Sequence, residues 1–129
     1  MIRVFLADDN RDILTDLREE LADEFEVVGS AENGKDVLRA VLELEPDVLV
    51  LDIAMPFPNG LEVARYLQTG NTQIRIIFLT IHEEPEYISA AFDIGAQGYV
   101  TKRRLASDLK MAIREVFAGR KFLSSSLHL

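Results

Sequence analysis

Five polar side chains follow short apolar runs of the chain, at positions where they could act together in one reaction. Asp8 and Asp9 follow the first run, Asp52 the third, Thr80 the fourth and Lys102 the fifth. Three carboxylates gathered at one place repel one another, and a divalent cation that prefers hard oxygen ligands, above all Mg²⁺, relieves that repulsion. These residues therefore predict a magnesium site beside a hydroxyl and an amine.

The same residue types suit phosphoryl transfer. A carboxylate beside a bound metal is a competent nucleophile toward phosphorus, and Asp52 is the candidate. Charge in the loose transition state gathers on the equatorial oxygens, so the metal, the Lys102 ammonium and the Thr80 hydroxyl would stabilise it. A phosphoryl group adds about −1.5 to −2 charges. That charge is expected to draw Thr80 inward, which would be a switch.

Each of these residues also has an ordinary structural explanation. Asp8, Asp9 or Asn10 could each cap the helix that follows, and Asp52 could be a turn residue. Thr80 suits a strand, and Lys102 suits any solvated strand end. Taken one at a time, these explanations are adequate. Their joint occurrence favours a site, because each of these four strand ends carries a group that phosphoryl chemistry requires.

Apolar periodicity predicts the elements that would position these groups. Runs at 2–7, 25–31, 48–51, 74–79 and 98–100 predict five strands, separated by segments with helical spacing such as Leu14, Leu17 and Leu21. This alternation predicts an α/β fold, a (βα)5 doubly wound parallel sheet of five strands in the flavodoxin-like order 2-1-3-4-5. Its binding edge would lie at the carboxyl ends of the strands.

Composition limits the possible functions. The chain has 129 residues, enough for one domain, and no apolar run long enough to span a bilayer, so a membrane protein is not expected. It has no cysteine, which excludes disulfides and thiolate metal sites and fits a cytoplasmic setting. Its net charge of −8 opposes binding to nucleic acid.

The ordered motifs of the chain resemble those of response-regulator receiver domains. The resemblance spans nearly the whole chain. It rests on four segments, namely Asp8-Asp9, Asp52-Ile53-Ala54-Met55-Pro56 with Gly60 beyond, Phe78-Leu79-Thr80, and Gly98-Tyr99-Val100-Thr101-Lys102.

The resemblance implies a role for each matching position. Asp52 would be the phosphoacceptor, and Mg²⁺ would be held by Asp52, Asp9, the carbonyl of Ala54 and Asp8, the last largely through water. Thr80 and Lys102 would contact the phosphoryl group. Tyr99 would be the aromatic residue whose ring turns inward when the threonine moves, although it also suits a strand by propensity alone.

Within that family, Leu79-Thr80-Ile81-His82 and the segment 117–124 are most similar to regulators of the NarL/LuxR type. This similarity implies a sensor histidine kinase as partner, possible dimerisation on phosphorylation, and DNA contact only through a C-terminal helix-turn-helix domain that this chain lacks. We therefore expect a receiver domain over residues 1–120. Residues 121–129 are expected to begin an interdomain linker or to form a mobile tail.

Two other classes of protein remain as alternatives: a pseudo-receiver, and a small hydrolase or redox protein. An unphosphorylated pseudo-receiver, a pure interaction module, would share the fold but would normally lack one of the acids or the lysine. A flavodoxin-like redox protein would need a phosphate-binding loop where Asp8-Asp9-Asn10 would repel a phosphate. An aspartyl metal phosphatase would need a second acid where Ala54 stands.

The chain departs from the receiver pattern at Arg103, because many receivers have a proline directly after the lysine that corresponds to Lys102.

Overall fold

Strands and helices alternate along the computed structural model, which describes residues 1–70 and 73–127. The strands are β1 (Arg3–Ala7), β2 (Glu26–Ala31), β3 (Val48–Leu51), β4 (Arg75–Thr80), β5 (Gly98–Thr101) and β6 (Phe122–Leu123). The helices are α1 (Arg11–Leu21), α2 (Gly34–Leu44), α3 (Gly60–Thr69), α4 (Pro85–Ile94) and α5 (Leu105–Phe117). Among the described residues, no helix is both long and apolar enough to cross a bilayer.

The sheet is parallel throughout and has the order β2-β1-β3-β4-β5-β6. The predicted doubly wound α/β fold and the order of its first five strands are confirmed. The third strand has its predicted bounds, and each of the other four predicted strands differs from the structure by one residue at one or both ends. The sixth strand was not predicted, because two residues are too short to show a strand period.

The two faces of the sheet bury separate halves of the core. Successive side chains of a strand point to opposite faces, so Leu49 and Leu51 of β3 pack in one cluster while Val48 and Val50 pack in the other. All four are at most 1% exposed. Burial of one such side chain contributes about 1.5 to 3 kcal/mol, so β3 is held rigidly from both sides.

Asparagine side chains cap the N-termini of three helices. The Asn10 side chain accepts hydrogen bonds from the backbone N–H groups of Asp12 and Ile13 at the start of α1. Asn33 caps α2, and Asn59 forms a reciprocal capping box with Glu62 in α3. Because Asn10 satisfies the first turn of α1, the neighbouring Asp8 and Asp9 carboxylates are not needed as caps.

The segment after α5 packs on the domain as far as Leu127, and the last two residues of the predicted linker or tail, 128 and 129, lie outside the described residues. The N–H of Phe122 donates to the Gln97 carbonyl at 2.9 Å, and the N–H of Ser124 donates to the Tyr99 carbonyl at 3.0 Å. These bonds satisfy the open edge of β5, which would otherwise leave unpaired backbone groups. Ser124 and Leu127 are buried. The domain boundary at residue 120 stays a prediction.

We expect Leu127→Ala to destabilise the protein by about 2 kcal/mol, because Leu127 is 6% exposed and lies in the core cluster that contains Tyr99. Urea denaturation followed by circular dichroism measures this change. Leu42→Ala is the matched control, since Leu42 is 53% exposed and its loss should change stability by less than about 0.5 kcal/mol. Equal denaturation midpoints for the Leu127 variant and the wild-type chain would show that the tail does not pack in solution.

Candidate functional site

The predicted site residues meet at the carboxyl edge of the sheet. Asp8 follows β1, Asp52 follows β3, Thr80 ends β4, and Lys102 follows β5. Asp8, Asp9 and Asp52 each offer a carboxylate oxygen, and these oxygens lie within 4.8 Å of one another. Asp8 and Asp52 are buried, whereas Asp9 is exposed. The three acids therefore form a cluster of two buried carboxylates and one exposed carboxylate, which we call the acid pocket.

Backbone hydrogen bonds of the sheet continue beyond the strands and hold the two buried acids in place. The N–H of Asp52 donates to the Ala7 carbonyl at 3.0 Å, and the N–H of Asp8 donates to the Ala31 carbonyl at 3.2 Å. The Asp8 carboxylate also accepts the N–H of Asn10 at 2.9 Å. The two carboxylates consequently sit on rigid elements rather than on free loops.

Lys102 bridges the two buried acids. Its Nζ lies 2.8 Å from the Asp8 Oδ2 and 3.1 Å from the Asp52 Oδ2, and its side chain is 17% exposed. Burial acts to lower the pKa of Lys102, but its contacts with Asp8 and Asp52 outweigh burial and raise the pKa above its usual value. Lys102 is therefore a fixed positive charge at the position where a phosphoryl group on Asp52 would develop negative charge.

The surroundings of Asp52 disfavour its charged form. Burial raises the pKa of its carboxyl, the charge of Asp8 raises it further, and Lys102 and a backbone hydrogen bond from Ala54 only partly oppose these effects. The carboxylate therefore has incomplete compensation for its lost hydration. Binding of a further cation beside the Asp52 carboxylate would therefore be favourable.

We expect Asp52→Asn to stabilise the metal-free protein at pH 7 by about 1 kcal/mol, the scale of a typical single substitution. The Asp52 pKa is higher in the folded chain than its ordinary value of 3.8, so the unfolded chain ionises first as the pH rises. The free energy of unfolding of the wild-type chain therefore falls as the pH rises above that ordinary pKa. The variant does not show this fall, because asparagine does not ionise.

Urea denaturation in EDTA at several pH values measures the difference between the Asp52→Asn variant and the wild-type chain. The advantage of the variant should shrink as the pH falls toward 4. An advantage that is independent of pH would contradict the ionic explanation and would point to packing instead.

The donor set fits Mg²⁺. Carboxylate oxygens are hard ligands, and three acids against one lysine leave an excess of negative charge that a divalent cation would neutralise. Asp8, Asp9 and Asp52 would hold such an ion, together with the Ala54 carbonyl implied by the family resemblance. Ala54 lies two residues beyond Asp52, in the loop that leads to α3.

The two expected switch residues are both buried and are joined through one backbone segment. The Thr80 hydroxyl oxygen accepts the N–H of His82 at 3.3 Å, and the Tyr99 hydroxyl donates to the His82 carbonyl at 2.8 Å. Tyr99 is 0% exposed, and burial raises the pKa of its phenol. The Tyr99 ring thus already lies inward, and a movement of Thr80 would reach it through His82.

Sequence reasoning missed a second set of contacts beside the pocket. Glu83 accepts hydrogen bonds from Thr101 and Arg103, the two neighbours of Lys102. The signal that could have located them is positional: Thr80 pairs with Thr101 in the β4–β5 register, so residues just beyond these two threonines must lie close together. Ile81, the bulky residue after Thr80, is 70% exposed and flanks the pocket.

Comparisons with known proteins agree with this geometry. The family described as response regulator receiver domain matches residues 4–114. The uncharacterized transcriptional regulatory protein YvfU of Bacillus subtilis (strain 168) is 40% identical over 129 residues, which cover 98% of this chain and 64% of that protein. The chain spans about three fifths of the length of such curated relatives.

Two solved structures show the same fold over almost the whole chain. A LuxR-family two-component response regulator from Aurantimonas sp. SI85-9A1 has a TM-score of 0.92 and 31% identity, covering 97% of this chain and 91% of that one. The isolated REC domain of RcsB from Salmonella enterica serovar Typhimurium, solved with the phosphomimetic BeF3-, has a TM-score of 0.90 and 28% identity, covering 98% and 95%. Another RcsB structure contains two dimers bound to two parallel DNAs.

Proposed function

Since this chain belongs to the response regulator receiver domain family, with relatives of the NarL/LuxR type, we propose that it accepts a phosphoryl group on Asp52 from a sensor histidine kinase. The reaction depends on Mg²⁺ and occurs in the cytoplasm. The domain is a signalling module that promotes its own phosphorylation and dephosphorylation. It is not an enzyme that turns over a separate substrate.

One observation carries the proposal: the buried Asp52 carboxylate shares its pocket with two further acids and one lysine. Its oxygen lies 3.1 Å from the Lys102 Nζ, and an oxygen of each other acid lies within 4.8 Å. A purely structural ion pair would not need a third carboxylate facing solvent beside it. The excess negative charge gives a divalent cation a place, and the lysine gives the phosphoryl oxygens a partner.

The chain's own residues can carry out the transfer with few movements. An Asp52 carboxylate oxygen forms a bond to phosphorus while the nitrogen–phosphorus bond of the donor phosphohistidine breaks, and its electron pair stays on the imidazole. Bound Mg²⁺ would supply positive charge that draws the phosphoryl oxygens toward the acids. Lys102 exchanges its contact with Asp52 for one with a phosphoryl oxygen, and Thr80 donates its hydroxyl to another.

The added charge then alters the surface above β4 and β5. When Thr80 turns toward the phosphoryl group, its hydroxyl leaves the N–H of His82, whose carbonyl holds the Tyr99 hydroxyl. The β4–α4 loop and the position of α4 are therefore coupled to Asp52. We propose that this change controls an output domain that binds DNA, or controls dimerisation, as RcsB forms dimers on DNA.

Intact mass after incubation with acetyl phosphate tests the proposal. The wild-type chain should gain one phosphoryl group, about 80 Da, with Mg²⁺ and none in EDTA. Asp52→Asn should gain none in either buffer. Asp93→Asn removes an exposed acid on α4 and serves as the matched control, so it should be modified as the wild type is. Absence of an adduct on the wild-type chain would favour the pseudo-receiver alternative.

A further inference from the structure

A single carboxylate in the β4–α4 loop holds both chain neighbours of Lys102. The Glu83 Oε2 accepts the hydroxyl of Thr101 at 2.8 Å and the Nε of Arg103 at 2.7 Å. The Glu83 Oε1 accepts the Nη2 of Arg103 at 3.0 Å. We call these three residues, Glu83, Thr101 and Arg103, the Glu83 clamp. The clamp makes three hydrogen bonds across the ends of two strands.

The clamp forms because β4 and β5 end side by side. Thr80 and Thr101 are register partners and are the last residues of their strands. Glu83 lies three residues beyond Thr80, and Arg103 lies two residues beyond Thr101, inside the 3-10 turn Lys102–Arg104. The chain turns away from the sheet on both strands at this level, which leaves the Glu83 carboxylate facing the start of that turn.

From this geometry we propose that Glu83 and Arg103 are positioning residues, which act on the phosphorylation of Asp52 by fixing the backbone of Lys102 relative to the Thr80 loop. The inference rests on the proposed function. The clamp holds the side chains of the two residues that flank Lys102 in the chain, while Asp8 and Asp52 hold the Lys102 Nζ. When a phosphoryl group displaces the Nζ from Asp52, the clamp still holds the backbone.

A lysine needs such an anchor more than most residues do. Its ammonium group is a point charge at the end of a flexible four-carbon stem, and it lacks the rigid planar geometry of a guanidinium. The position of the ammonium therefore depends strongly on the position of the lysine backbone. Arg103 suits the anchoring role because a guanidinium can bind a carboxylate through two parallel hydrogen bonds, which also fixes orientation. Arg103 is not a proline, so the bond after Lys102 has no ring to stiffen it.

The clamp should act on rate rather than on stability. The Glu83 and Arg103 side chains are 34% and 57% exposed, and ion pairs this exposed contribute little to folding. A misplacement of about 1 Å at a reacting group, by contrast, can slow a reaction up to about 100-fold. Loss of the clamp therefore separates a positioning role from a structural one.

The test measures phosphorylation by acetyl phosphate with Mg²⁺, using intact mass over time, for Glu83→Gln, Arg103→Gln and the double variant. We expect each single variant to be slowed about 5- to 10-fold, and the double variant to be no slower than either, because both break one unit. Arg103→Lys keeps the positive charge but cannot donate two parallel hydrogen bonds to Glu83. Its phosphorylation rate should therefore lie between those of the wild-type chain and Arg103→Gln.

Two further measurements separate positioning from folding. The affinity for the phosphoryl analogue BeF3- with Mg²⁺ should fall in the single variants, while their urea midpoints stay close to wild type. Lys110→Gln is the matched control, since it breaks the Lys110–Asp23 ion pair far from the pocket. Its rate and its BeF3- affinity should not change.

Wild-type rates in Glu83→Gln and Arg103→Gln, additive losses in the double variant, or losses that track the urea midpoint would each overturn the inference while leaving the phosphorylation of Asp52 intact. A wild-type chain that gains no phosphoryl group would instead overturn the proposed function, and this inference with it. The two failures are therefore distinguished by the wild-type measurement alone.

Discussion

Lys102→Ala is expected to slow the phosphorylation of Asp52 by roughly 100- to 1000-fold, the loss that follows removal of one preorganised donor at a site of developing charge. The Lys102 Nζ is the cation nearest to the Asp52 carboxylate among the ion pairs of the described residues, at 3.1 Å. Without it, the phosphoryl oxygens would lose the contact with this ammonium group. The rate with acetyl phosphate and Mg²⁺, followed by intact mass, measures the effect.

The same variant should also be less stable in EDTA at pH 7. Asp8 and Asp52 are both buried, and Lys102→Ala leaves their charges without the ammonium that now bridges them. Mg²⁺ should restore part of the lost stability by taking the place of that charge. Lys110→Ala removes a lysine remote from the pocket and should change neither the phosphorylation rate nor its dependence on Mg²⁺. A Lys102→Ala rate within about threefold of wild type would refute the assigned role, since such a change is below about 0.7 kcal/mol.

Gly60→Ala should disrupt the site through its backbone and destabilise the fold by about 3 kcal/mol. An added Cβ at Gly60 would lie 2.0 Å from the Asp52 carbonyl oxygen and 2.7 Å from the Ile53 Cα. Both are backbone atoms and have no rotamer through which to move aside. The N–H of Gly60 also donates to the Ile53 carbonyl at 2.8 Å, so α3 cannot shift away without breaking that bond.

The expected consequences for Gly60→Ala are a lower urea midpoint and, in the folded fraction, slower phosphorylation of a displaced Asp52. Gly119→Ala is a suitable control. Gly119 has a φ of +90°, which strains any other residue, but nothing lies within 4 Å of an added Cβ. It should therefore cost about 1 to 2 kcal/mol and leave the phosphorylation rate unchanged. Similar phosphorylation rates in the two glycine variants would show that close packing at Gly60 does not position Asp52.

Strand β5 links the pocket with the segment that follows α5. The hydroxyl of Thr101 donates to Glu83 in the β4–α4 loop, while its N–H donates to the Ser124 hydroxyl oxygen at 3.3 Å. The Tyr99 hydroxyl reaches His82 on one side, and the Tyr99 carbonyl accepts the N–H of Ser124 on the other. These hydrogen bonds therefore connect the β4–α4 loop to Ser124 through residues of β5.

The fold class and the members of the acid pocket are predictable from the amino-acid sequence alone. Runs such as Val48–Leu51 are apolar at every position because a central parallel strand is buried on both faces, and this property is local. Once the strands are known, parallel pairing brings their carboxyl ends to one edge, which predicts that Asp8, Asp52 and Lys102 lie together.

Which atoms pair with one another depends on the three-dimensional packing of the chain. The contact of Lys102 with both buried acids, the Glu83 clamp and the packing of Ser124 and Leu127 all join residues that are distant along the chain or belong to loops. Loops and two-residue strands carry no hydrophobic period from which a contact could be predicted. Their side chains are placed by the strand register beneath them and by competition among neighbouring charges, and both of these exist only once the sheet has assembled.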